Sequence, residues 1–426
     1  MRNKNSLRFG VAAMAATLLL PLSFAQTPDG CMGLRQAMEL ASKSDPAVAT
    51  SQAREREADA NIQDAKSLYR PQLSAFARTG IGDVGLIDSA IQNQIGLSAS
   101  QRVIDFGDAR FARRAARFDR DASGFDTLNA RDQAASEVAA AVFDILESAE
   151  AITFTERRRS YFKDQLSAIE AVLDSGGATV SERAEISAQL ANAEAFFLDL
   201  QSNKKQAETV LQIAVGGIFS MCEAPLLEAE FSTIGKDLGT IEAVTEKAIS
   251  RSPQLQARKA RSDSLEEVRK REARARLPVI SVVGSAAFSS GVDGDFELQE
   301  RVGLDVTVPI LSGRSLTARS NRASARRSAA VSEVAEMQRQ LEEDVRLSFQ
   351  RILFLEAQLI TRKEFEARSL ELLEFATFEY EAGTRALPEL VDARLDYEQA
   401  GLQRIGIKFD LLRERLRLLS LTSSLL

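Results

Sequence analysis

The side chains that most often carry chemistry are sparse here: the 426-residue chain has no histidine and two cysteines, Cys31 and Cys222. Without histidine there is no His-based nucleophile triad, no usual zinc site and no imidazole general base. The carboxylate pair best placed for joint work is Glu389 and Asp392, three apart and so on one face of a helix. Such a pair could serve a hydrolase or complement the positive end of a helix dipole. No glycine-rich or strand-end setting surrounds it, which counts against hydrolysis and against an enzyme. The net charge of −7 and the lack of a basic block leave no footprint for nucleic acid, and no cofactor is expected.

Arg2, Lys4 and Arg8 precede an apolar run from Val11 to Leu22, and Ser23-Phe24-Ala25 supplies the small residues a signal peptidase needs. Residues 1–25 therefore read as a signal peptide, with Gln26 the first mature residue. After it, nothing reaches the ~18 consecutive apolar residues of a membrane-spanning helix, so membrane contact has to come through β-strands or an interface. Cys31 follows Pro28, Asp29 and Gly30 rather than a lipoprotein context, which speaks against acylation. In an oxidising compartment Cys31 and Cys222 can pair with each other or remain two buried thiols.

The elements that would position these residues occur twice. Ser44-Asp45-Pro46 matches Arg251-Ser252-Pro253, and Tyr69-Arg70-Pro71 matches Arg276-Leu277-Pro278, each 207 residues apart. Leu97 matches Leu304 at the same offset, and Gly107 matches Gly313 at 206. Each half, about 34–215 and 241–421, reads as a short helix, a Pro-bounded helix, two strand-like runs and a very long helical stretch.

In Arg301-Val302-Gly303-Leu304-Asp305-Val306-Thr307-Val308 apolar residues alternate with polar or small ones, and Ile95, Leu97 and Ala99 alternate with Gln94, Ser98 and Ser100. Leu73 to Thr79 and Val279 to Phe288 are the other two candidate strands. A surface hairpin packed on a helix would give the same period as a barrel strand. From Asp108 to Asp174 only Gly124 interrupts, and about 67 helical residues at ~1.5 Å each span roughly 100 Å. Val138, Val142, Ile145, Ala149 and Ile152, then Phe162, Leu166, Ile169 and Leu173, keep a coiled-coil rhythm. Leu341, Val345, Ile352, Leu355 and Leu359 answer them in the second half. Charge runs such as Glu156-Arg157-Arg158-Arg159 and Glu342-Glu343-Asp344 read as solvated helix faces.

Gln101-Arg102-Val103-Ile104-Asp105-Phe106-Gly107 resembles the strand-to-helix junction of TolC-like outer-membrane efflux and secretion channels. Tyr380-Glu381-Ala382-Gly383-Thr384-Arg385 resembles their second helical break. Joined to the duplication, the resemblance covers nearly the whole mature chain. It implies a mixed α and β membrane protein: a transmembrane β-barrel shared between subunits, four strands per chain, continued by a long α-helical coiled-coil periplasmic tunnel. The organisation expected is a first repeat at 26–222, a linker at 223–240 in the equatorial region and a second repeat at 241–426.

The resemblance further implies an outer-membrane homotrimer that works with a periplasmic adaptor (membrane fusion) protein and an inner-membrane ABC or proton-driven transporter. It would be a passive exit duct for type I secreted protein or for efflux of small molecules, with the secretion branch slightly favoured. Tyr380 and Arg385 match the family's gate-locking residues, and Glu389 and Asp392 match its acidic constriction, which would attract cations. A charged hydrogen bond from Arg385 would contribute ~1.5 to 3 kcal/mol per copy. Gly177 and Gly383 are the expected helix-break glycines.

Two departures stand out. With no Trp and four Tyr, aromatic girdles rest on Phe76, Phe106 and Phe288. Ser175-Gly176-Gly177 also lacks the aromatic and the arginine of the second break. The alternative is a periplasmic coiled-coil structural or adaptor protein, which would share the export signal and the helices but would not need four amphipathic strands at matched positions.

Overall fold

Proline sets the first helix boundaries. Pro46 and Pro253 open helices where a missing N–H is tolerated. The residue before each accepts from the new helix: Asp45 from the Ala47 N–H at 2.6 Å, and Ser252 from the Leu255 N–H at 3.4 Å. The computed structural model describes residues 31–83, 89–217, 239–290 and 296–423. The expected signal peptide, Cys222 and most of the expected linker at 223–240 lie outside the described residues.

The first half contains α1 (Leu34–Ser44), α2 (Pro46–Ser67), β1 (Gln72–Asp83), β2 (Ser89–Ile104), α3 (Asp108–Leu173) and α4 (Val180–Val215). The second contains α5 (Ile241–Arg251), α6 (Pro253–Ala273), β3 (Val279–Ser290), β4 (Phe296–Thr307), α7 (Ser315–Glu381) and α8 (Leu387–Leu421). Every element of the second half begins 207 residues after its counterpart. This corrects the glycine match made at an offset of 206. The counterpart of Gly107 is Arg314, and that of Gly313 is Phe106. All four have positive φ (+100°, +67°, +53° and +50°), so each strand-to-helix corner is a pair of left-handed residues with its glycine in a different slot.

The strands form one antiparallel sheet in the order β1-β2-β3-β4, so the repeats join where β2 meets β3. The register aligns Leu73, Ala99, Gly284 and Val302 in one row, and Ala77, Ile95, Phe288 and Leu298 in another. Side chains alternate across a strand, so these rows share an apolar face with Leu97, Leu304 and Val306. Val302, Leu304 and Val306 are 85%, 72% and 56% exposed. The opposite face carries Ser74, Ser98, Ser285 and Arg301 in a row, with the Ser74 and Ser98 hydroxyls 2.8 Å apart. Phe76 belongs to this polar face, its ring under the Arg78 guanidinium at 4.6 Å. It therefore stands on the side of the sheet away from Phe288 and cannot share a girdle with it.

Beneath the sheet, α3 and α7, at 66 and 67 residues, run roughly 100 Å each. Val138, Val142, Phe162 and Ile169 are buried as the spacing requires, whereas Ile145, Ala149 and Ile152 are half-buried. The reason is that α3 packs against α1, α4, α6 and α8 at different levels, so alanines such as Ala134, Ala135, Ala139 and Ala141 supply the close contacts. In the second half Leu341, Val345, Ile352 and Leu355 are buried against α5 and α8, with Leu359 packed at their edge.

Candidate gate at the helical tips

The chain reverses between α7 and α8 because Gly383 can take φ +74°. The Thr384 N–H donates to the Glu379 carbonyl at 2.9 Å, and the Gly383 N–H to the Tyr380 carbonyl at 2.9 Å. That pair of bonds is a Schellman close. The same pair closes α3: the Gly177 N–H donates to Val172 at 2.9 Å and the Gly176 N–H to Leu173 at 3.1 Å. The left-handed residue is thus Gly176, φ +77°, not Gly177, which corrects the expected break glycine. Gly176 stands 207 residues before Gly383, so applying the repeat offset to Gly383 would have found it.

The helices that leave the two tips start differently. Thr179 caps α4 in a reciprocal box: its hydroxyl accepts from the Glu182 N–H at 3.2 Å, and its own N–H donates to the Glu182 carboxylate at 2.7 Å. The matching positions of α8 are Ala386, which cannot cap, and Glu389. Freed from the box, Glu389 pairs with Arg385 at 3.7 Å, and Arg385 also reaches Glu379 at 3.0 Å.

Arg385 and Glu389 are therefore brought together, and Asp392 faces solvent on the same helix without an ion pair among the described residues. Tyr380 packs against Leu387, Val391 and Leu390, where the tip clusters meet. Both Arg385 pairs lie within one hairpin, and their acids are 49% and 65% exposed. Pairs this exposed contribute ~0.2 to 1 kcal/mol each, below the value expected from a buried charged hydrogen bond. Arg385 stiffens the turn but does not tie α8 to α3.

That tie is made by residues that looked like a solvated face in sequence. Arg158 of α3 stands 3.2 Å from Glu398 of α8, a residue 3% exposed, and Glu398 also takes a hydrogen bond from Arg394 at 3.0 Å. Burial pushes the Glu398 carboxyl up, opposed by its Arg394 hydrogen bond and by Arg158. Higher on the same seam Glu150 receives Arg404 at 3.0 Å and Lys408 at 2.8 Å, while Arg413 pairs with Glu147 and, at 2.7 Å, with Asp144. On its other flank α8 pairs with α7 through Arg404–Glu366, Arg415–Glu356 and Arg417–Asp344.

At the strand-to-helix corner Asp105 is buried and accepts from the Tyr69 hydroxyl and from the N–H groups of Gly107 and Ala109, at 2.9 and 2.8 Å. Burial alone would raise its carboxyl, but these hydrogen bonds and Arg102 outweigh it and hold Asp105 below the usual range. Tyr69 is pushed up to about 12, by burial first and then by Asp105. Cys31 is disulfide-bonded.

Residues 37–217 and 244–424 each match the family described as outer membrane efflux protein, with both boundaries 207 residues apart. In fold the chain is similar to the CmeC outer membrane channel of Campylobacter jejuni, with a TM-score of 0.79 and 16% identity over 92% of this chain and 85% of that one. It is also similar to VceC of Vibrio cholerae (0.78, 16%, 91% and 95%) and to the open state of the Neisseria gonorrhoeae MtrE channel (0.76, 18%, 92% and 88%). No curated protein matches the chain by sequence. Two family matches that between them take in both repeats, on a fold of amphipathic sheet and long helices, make this chain a member of the outer membrane efflux protein family.

Proposed function

We propose that three copies of this chain form a continuous duct from the periplasm through the outer membrane, shut at the helical tips until a tripartite partner engages. The observation that carries the reading is the four-stranded sheet with one apolar face and two free edges. Four strands are half of the smallest barrel of ~8, and an open edge cannot stay in lipid. β1 and β4 run in opposite directions, so β4 of one copy can pair with β1 of the next in the same antiparallel sense. Three copies give 12 strands, with Val302, Leu304, Val306 and Val308 toward lipid and Arg301, Asp305 and Thr307 toward water. Apolar side chains left bare on α7 (Phe354, Ile360, Phe375) and on α4 (Leu198, Ile213) fit burial between copies.

Three Glu389 and three Asp392 would gather six carboxylates around the tip aperture. An adaptor protein and an inner-membrane transporter would supply the opening force and the energy. Small-molecule efflux and secretion of an unfolded polypeptide use the same duct, and the partner, an ABC transporter or a proton-driven pump, decides between them. Chemical crosslinking in isolated outer membranes tests the assembly: trimers as the end product support it, whereas stable dimers without trimers contradict it.

A further inference from the structure

The seam between α3 and α8 holds three charge rungs and a steric pin, all in one antiparallel register. From the tip upward they are Arg158–Glu398, the Phe154 ring against Gly401, Glu150 with Arg404 and Lys408, and Asp144 and Glu147 with Arg413. The polarity reverses between the first rung and the others: the acid is on α8 at Glu398 and on α3 above it. Sliding α8 by a heptad one way carries Glu398 from Arg158 to the level of Ala151, beside Glu150; the other way carries Arg404 from Glu150 to the level of Arg157. Either slide sets like charges together, so the register above the first rung is fixed. Below it the contacts change character. Leu387, Val391 and Leu395 meet Phe162, Ile169 and Ile186, and Arg394 of α8 lies over the Tyr161 ring of α3 at 4.4 Å, with no α3–α8 ion pair below Arg158–Glu398 among the described residues. Apolar contacts are non-directional and tolerate a swing that a charge ladder does not.

We propose that the buried Arg158–Glu398 contact is the fulcrum of the gate, the point above which α8 is anchored to α3 and below which the α7–α8 tip swings to open the aperture. The inference deepens the gated-duct reading and rests on it. Glu398 and Arg158 are positioning residues, since neither touches cargo. Their ion pair is close, at 3.2 Å, and Glu398 keeps its hydrogen bond from Arg394 when Arg158 is replaced, so the buried carboxylate is not left bare and the seam should stay folded while the swing is freed.

Planar-bilayer recordings on the full-length assembled channel test this. Arg158→Gln and Glu398→Gln should each raise the time spent in the high-conductance state, by roughly threefold to tenfold. The double variant should add little to either single one, and Arg158→Lys should restore closure. Glu150→Gln, in the anchored part, should lower the unfolding temperature while leaving conductance near wild type. If the Arg158 and Glu398 variants conduct like wild type while Arg385→Ser opens the channel, the fulcrum is wrong and the gate stands. If Glu150→Gln opens it equally, the hold is spread along the ladder and the fulcrum is again wrong. Unchanged conductance in all variants, Arg385→Ser included, removes the gate reading and the fulcrum with it. Should Glu398→Gln fail to assemble, Arg158→Gln, on the better-packed α3, decides alone.

Discussion

Phe154 of α3 seats its ring where Gly401 of α8 has no side chain: a β-carbon on Gly401 would stand 2.3 Å from the ring. Glycine inside a helix costs about 1 kcal/mol relative to alanine, yet here it lets two helices approach and Phe154 pack against Tyr397, the rings tilted by 46° at a centroid distance of 5.5 Å. Gly401→Ala should therefore destabilise, because the overpacking of about 1 to 3 kcal/mol outweighs the propensity gain. Thermal unfolding checks it. Phe154→Leu in the same chain should recover most of the loss, and an additive double variant would contradict the contact.

The two tips make a paired prediction about glycine. Gly176→Ala and Gly383→Ala force a β-carbon into the left-handed region and should each cost about 1 to 2 kcal/mol. Gly177→Ala has no such φ and meets only Val172, 3.1 Å away, so its effect should be smaller. Hydrogen exchange at the tips reads the difference. Equal effects at 176 and 177 would contradict the assignment of the turn.

Asp105 gives a pH dependence of known sign. Its folded-state pKa lies below the unfolded one, so its stabilisation is present above the unfolded value of ~3.9 and is lost as pH falls through the folded value. Asp105→Asn should be less stable than wild type at pH 6, and the gap should close below about pH 4. Unfolding midpoints taken from pH 6 to 2.5 check this. A gap that persists at the lowest pH would place the loss in packing instead.

The disulfide of Cys31 is expected to join Cys222, the chain's only other cysteine. Closing so long a loop stabilises nominally by ~4 to 5 kcal/mol in the chain-entropy model. Non-reducing peptide mapping should recover the two cysteines in one linked fragment. Equal alkylation of both before and after reduction would exclude the bond.

The repeat, the four strands and the two long helices were legible because each depends on local periodicity or on a proline that reappears at a fixed offset. The break glycine was misread by one place because two adjacent glycines look alike locally; only the offset from Gly383 separates them. Ile145, Ala149 and Ile152 follow a heptad, but α3 is packed on several sides and alanines took the buried sites. The role of Arg158 was hidden for a different reason. Its partner lies 240 residues away, and an arginine in a charged run gives no sign that the opposite helix buries it. Arg385 was found by resemblance, yet its pairs are exposed and stay within one hairpin.

The gated duct itself is tested most directly by single-channel conductance of Arg385→Ser combined with Tyr380→Ala, which removes both ion pairs and the packing at the α7–α8 turn, compared with wild type in planar bilayers. Tyr380→Phe alone should change little, because the ring is what packs. The combined variant should conduct several-fold more than wild type, and Glu389→Ala with Asp392→Ala should abolish block by multivalent cations while trimers still form. Wild-type conductance in the first variant, with cation block intact in the second, would contradict a gate at this tip.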